Sequence, residues 1–178
     1  MNQQHRHPHV VHLDEIEPYE VKQGDFSQRA RRVGTAAGGR ALGCASYELP
    51  PGKTAFPFHF HSALEEAIYV LEGEGTLRVG KDEVAITQGD YVALLPGPDN
   101  AHALSNRGQG PLRYLCMSAP AIPMTLDIIG YPDSKKIALA AGVEPGKSAW
   151  RDGAWIVKLI KEDQPDVGYF DDEPLAQK

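Results

Sequence analysis

The sequence predicts an all-β barrel or sandwich, and three observations carry that reading. Short β-prone runs recur between Gly, Pro, Asn and Asp from about residue 26 to 118. Gly and Pro number 18 and 14 of 178 residues, so the chain turns often while staying below the composition of a disordered one. No stretch in this region sustains apolar residues at i, i+3, i+4 and i+7; the nearest case, Ser62-Ala63-Leu64-Glu65-Glu66, is too short for a packed helix.

Taken in order, the expected strands are 26–33, 41–49, 55–60, 67–71, 76–79, 83–86, 91–95, 102–105 and 112–118. The segments 71–76 and 79–83 read as hairpin turns, with glycine supplying the positive φ such loops need. An antiparallel meander is the arrangement this spacing favours. Before it, residues 1–25 carry His5, His7, His9 and His12 and then Asp14, Glu15, Glu17 and Glu20, and read as a loosely held arm. After Pro120 come apolar stretches at 124–129, 137–141 and 155–160, with a turn at 131–134. Residues 121–178 are too interrupted by Gly and Pro for a second core. They read as an extension packing Trp150, Trp155, Tyr169 and Phe170 on a barrel formed by residues 26–120.

Composition narrows the function. At 178 residues and 42 % hydrophobic content the chain closes one core without disulfides. Its 24 acidic residues against 18 Lys plus Arg give a net charge of −6, which disfavours phosphate backbones and anionic lipid. Residues 1–39 lack the basic balance and periodicity of a DNA-binding helical domain. No run reaches the roughly 18 apolar residues of a membrane span, and Met1 to Val10 is polar, so the expected location is cytoplasmic. Cys44 and Cys116 stand 72 residues apart and are expected to be free thiols.

The chemistry concentrates in Phe56-Pro57-Phe58-His59-Phe60-His61. In a strand, period two puts both imidazoles on one face and Phe56, Phe58 and Phe60 on the other, where they would meet a second sheet or subunit. Glu66 falls in the next strand and His102 begins a later one. The set is then three imidazoles and one carboxylate, which suits one divalent transition metal: manganese, iron, cobalt, nickel, copper or zinc. Glu65 and Glu66 adjoin, so a strand can direct only one of them to the ion. Spacing selects Glu66.

The segment Gly52-x6-His59-x-His61-x4-Glu66-x6-Gly73 resembles the first motif of the cupin superfamily, and Gly89-Asp90 through His102-x3-Asn106 resembles the second. The resemblance covers roughly residues 40–118, with longer spacers before His59 and before His102 than the family pattern. It implies a double-stranded β-helix, or jelly-roll, barrel with His59, His61, Glu66 and His102 as ligands of one divalent metal. The tail, from Tyr131-Pro132-Asp133-Ser134 to Asp172-Glu173-Pro174, is similar to the extension of bacterial cupins, some of them labelled sugar-phosphate isomerases.

What the resemblance implies for function is a metal-dependent enzyme acting on a small oxygenated metabolite. An isomerase reaction stands ahead of a dioxygenase or decarboxylase, and a non-catalytic binding or sensing module is the rival class. Tyr91, Tyr114, Arg78 and Tyr131 are unranked candidates for acid–base or binding roles. The expected partners are a small molecule and a second copy of the chain, as a homodimer.

Overall fold

The structure, a computed structural model, describes residues 7–120, 126–141 and 156–163. Thirteen strands follow in chain order: β1 (Tyr19–Gln23), β2 (Phe26–Arg31), β3 (Gly43–Leu49), β4 (Phe60–His61), β5 (Leu64–Glu72), β6 (Glu74–Val79), β7 (Asp82–Thr87), β8 (Tyr91–Leu94), β9 (His102–Ser105), β10 (Leu112–Pro120), β11 (Leu126–Tyr131), β12 (Lys136–Ala141) and β13 (Ile156–Lys161). Among the described residues, helix is limited to the single α-turn Val33–Ala36 and three short 3-10 turns. The all-β expectation holds. Trp150, Trp155, Tyr169 and Phe170 lie outside the described residues.

The strands do not run as a meander. One sheet has the order β1-β2-β3-β10-β5-β8, a second β7-β6-β9 and a third β13-β12-β11-β4. Strands adjacent in sequence therefore often lie in different sheets, as in a jelly roll. The segment 71–76 shows how. Rather than closing a hairpin, it carries the chain from β5 in the first sheet to β6 in the second. Gly73 makes that passage at φ +85°, where an added Cβ would lie 2.5 Å from the Pro111 carbonyl oxygen. The expected turn at 79–83 is a true hairpin, with Val79 facing Asp82 and Gly80 at φ +55°.

Isolated bridges join the second sheet to the third. Thr54 pairs with Ser105 and His59 with His102, so the irregular segment 54–59 lies along β9 and leads into β4. Pro57 lacks a backbone N–H, and the stretch expected as one strand from 55 to 60 is reduced to bridges and the two residues of β4. The alternation of its rings is broken with it. Phe56 lies edge-on to Tyr47 and 6.2 Å from the His59 ring while staying 38 % exposed, and Phe58 is buried beneath the Arg78 guanidinium. Phe60 lies over Gly130 of β11. The three rings do not form a free face for a subunit contact; the extension covers one of them.

Leu49, Ile68, Val70, Leu77, Ile86, Leu94, Leu104, Leu112 and Tyr114 fill the space between the sheets. Burying each such side chain stabilises the fold by roughly 1.5–3 kcal/mol before entropy is charged. Asn106, fully buried among them, donates through Nδ2 to the carbonyls of Leu49 and Gly110, each at 2.8 Å, and accepts from the Gly108 N–H at 2.9 Å. It closes the loop after β9. The N-terminal region also departs from expectation, because β1 pairs in full register with β2, from Tyr19 opposite Ala30 to Gln23 opposite Phe26. Both cysteines are free thiols.

Candidate metal centre

Three histidines reach the barrel interior from one layer and a glutamate from the other. His59 and His102 exchange both backbone hydrogen bonds, at 3.1 and 2.7 Å, which fixes their Cα atoms side by side. Their rings stand 4.7 Å apart, and the His61 ring is 5.2 Å from that of His59. His61 sits opposite Ile129, where β4 pairs with β11. Glu66 projects inward from β5 while Glu65 is exposed, as period two requires.

His59, His61 and Glu66 each present one ligand atom within 4.8 Å of the other two, a cluster able to hold a metal ion. His102 joins through Glu66, with its Nε2 3.3 Å from Oε2; the corresponding His61 distance is 3.6 Å. The long segment before His102 contains a 3-10 turn at Pro98–Asn100, which returns the chain to β9 so that this imidazole faces the cluster.

The outward nitrogens decide the tautomers. Nδ1 of His59 donates to the Pro57 carbonyl at 2.8 Å, and Nδ1 of His102 to the Asn100 carbonyl at 3.0 Å. Nδ1 of His61 donates to Oδ2 of Asp127 at 2.5 Å. With each Nδ1 donating outward, Nε2 is the nitrogen each ring has left for the cluster, and in the neutral form it offers a lone pair there. Lone pairs gathered around a carboxylate repel one another unless a cation or added protons lie between them. Donor chemistry thus fits a divalent ion of the borderline class.

Electrostatics favour the ligand form of His59 and Glu66 and oppose it at His61. Burial lowers the His59 pKa to about 4, helped by the neighbouring His102 and His61, so this ring is neutral at pH 7. Burial opposes ionisation of Glu66, but the His102 hydrogen bond and the surrounding imidazoles outweigh it and bring its pKa to about 2. For His61, burial pulls the pKa down while Asp127 and Glu66 pull it up, and the net direction is upward.

These groups line a cavity of about 580 Å3 with apolar walls that include Ile68, Leu94 and Ile129. The extension contributes Tyr131, Lys136 and Leu159. Among the candidates left unranked by sequence, Tyr131 stacks on His59 with centroids 6.1 Å apart, and burial raises its pKa. Tyr114 also lines the cavity, wholly buried against Tyr47. Tyr91 is 63 % exposed, and Arg78 pairs with Asp133 away from the cluster. Sequence reasoning missed Asp127, and no spacing rule could have supplied it.

Residues 45–118 match the family model of the cupin domain. A candidate sugar phosphate isomerase from Acidithiobacillus ferrooxidans superposes with a TM-score of 0.74 at 25 % identity, covering 90 % of this chain and 96 % of that one. An uncharacterised protein of Methanocaldococcus jannaschii is 29 % identical over 60 % of this chain and 82 % of its own length. The tetracenomycin polyketide synthase protein of Streptomyces glaucescens is 25 % identical over 67 % of this chain and 76 % of its own.

Proposed function

We propose that this chain, which belongs to the cupin superfamily, binds one divalent transition metal through His59, His61, Glu66 and His102 and acts on a small oxygenated metabolite in an isomerase-type reaction. The observation that carries the reading is the orientation of the three imidazoles. Every Nδ1 is held by an oxygen on the outside, so Nε2 is the nitrogen each ring has left for the cluster. When bound, such an ion supplies Lewis-acid polarisation of a carbonyl or hydroxyl oxygen.

The protein groups have separable tasks. Glu66 contributes negative charge that offsets the ion, and its low pKa keeps it ionised throughout the physiological range. Tyr131, with its pKa raised by burial, retains its proton at neutral pH and can donate a hydrogen bond to a substrate oxygen from the His59 side of the cavity. Tyr47 and Tyr114 are held protonated by burial more strongly still. The apolar walls lower the local dielectric, which strengthens the electrostatic contacts beside them.

The isomerase reading is preferred to dioxygenase or decarboxylase chemistry because the likeness to the Acidithiobacillus protein extends over 90 % of the chain. Elemental analysis of the purified chain, followed by aldose–ketose interconversion and oxygen-uptake assays with the recovered metal, tests it. Stoichiometric metal with interconversion abolished by His59→Ala is the expected result. Small-molecule binding without turnover would replace it with a binding module, and absence of bound metal would overturn it.

A further inference from the structure

The cavity carries a cation whose charge nothing in the described structure answers. Among the described residues lining it, Lys136 is the one lysine or arginine. Its neighbours on the same face of β12, Ala138 and Ala140, are buried against the barrel, so the alternation directs Lys136 to that side as well. Its Nζ lies 5.3 Å from the Tyr131 ring centroid, and the same ring stacks on His59. One aromatic side chain thus stands between the ammonium and the imidazole cluster.

The surrounding charges are already engaged. Lys136 also borders an outer groove shared with Gln23, Phe56, Pro57 and Ala103. In that groove Arg78 forms a bidentate pair with Asp133, Arg107 pairs with Glu83, and Asp25 faces Lys53 at 3.8 Å. No carboxylate pairs with Lys136 among the described residues. Lys161, directly opposite it on β13, gives its own ammonium to the Ser134 carbonyl. Lys136 thus brings to the cavity an ammonium without a carboxylate partner among the described residues, in an otherwise acidic chain.

We propose that Lys136 is the anion-binding residue of the cavity and that the ligand is a small metabolite bearing a phosphate or carboxylate group, with its oxygenated end toward the imidazole cluster. This rests on reading the cavity as the substrate site. A compact ammonium on a flexible stem suits a single anionic group, and its loose seat on Tyr131 leaves it able to swing onto a ligand.

The test titrates the full chain by calorimetry with inorganic phosphate, ribose 5-phosphate, gluconate and ribose, with and without Mn2+. Wild type, Lys136→Met and Lys136→Arg are compared, their folding checked by thermal unfolding. Ribose 5-phosphate or gluconate should bind wild type more tightly than ribose, and the preferred probe identifies the anion as phosphate or carboxylate. Lys136→Met should weaken that probe about tenfold or more, while Lys136→Arg keeps most of the affinity and ribose is unaffected. Equal anion binding by wild type and Lys136→Met, or no preference of wild type for an anion over ribose, overturns the proposal. Mn2+ titration of the same samples separates the two readings: loss of metal binding alone refutes the proposed metal centre and leaves the Lys136 result standing.

Discussion

Asp127 accepts the Nδ1 proton of His61 at 2.5 Å across a separation of 66 residues. A strand of the extension therefore orients an imidazole of the barrel. A carboxylate in this position fixes the tautomer and raises the basicity of Nε2. Asp127→Asn preserves shape but removes the charge, and should weaken metal affinity by about 10–100-fold with the fold intact. A competition titration with a chelating dye checks this; affinity unchanged within twofold would show that Asp127 only packs.

The metal-free protein should lose stability in acid before its surface carboxylates titrate. His59 has a folded pKa of about 4 against an ordinary value of 6.5, so its contribution is present above pH 6.5 and is lost as pH falls toward 4, by roughly 3 kcal/mol. Glu66, at about 2, adds a loss in the same direction below pH 4.5. His61 runs the other way: its folded pKa is raised, so its contribution is full below pH 6.5 and fades as pH rises through the folded value. Urea unfolding of metal-free protein should therefore give a stability maximum near neutrality and a midpoint that falls steeply between pH 6.5 and 4. A flat midpoint over that interval would refute the burial of neutral His59.

How far these features could be read from the sequence depends on how local their causes are. His59, His61 and Glu66 were legible because strand period two acts within a few residues. Period two admits only one of Glu65 and Glu66, and the choice of Glu66 rests on spacing. The contact of Phe56 with Tyr47 and His59 does not follow from strand period two, since Pro57 ends the alternation there. Gly73 was read as a hairpin because a positive-φ glycine serves a turn and a passage between sheets equally well. Asp127 left no trace at all: its place depends on two residue pairs, Ile129 with His61 and Gly130 with Phe60.

Asn106 should be among the most sensitive polar positions. Truncation to Ala takes the partner from the buried Leu49 carbonyl and from the partly exposed Gly110 carbonyl and Gly108 N–H. The expected loss is about 2–4 kcal/mol, read from urea unfolding. Asn106→Asp should be at least as damaging, because a second oxygen would then face the Leu49 and Gly110 carbonyls. A loss below about 0.5 kcal/mol for the Ala variant would mean that the loop after β9 closes without it.

Gly130 and Phe60 should prove energetically coupled. They pair across β11 and β4, and a Cβ at position 130 would enter the space held by the Phe60 ring. Gly130→Ala must push the ring aside or separate the strands, at a cost of about 1–3 kcal/mol. Phe60 precedes His61, and Gly130 follows the residue opposite it, so separation would also lengthen the bond from His61 to Asp127. In a Phe60→Ala background the ring atoms nearest the added methyl are gone, and the penalty of Gly130→Ala should fall to a few tenths of a kcal/mol. A double-mutant cycle by chemical unfolding, with metal affinity measured on each variant, reads both effects. Additive losses would show that the ring yields freely and that β11 is docked by other contacts.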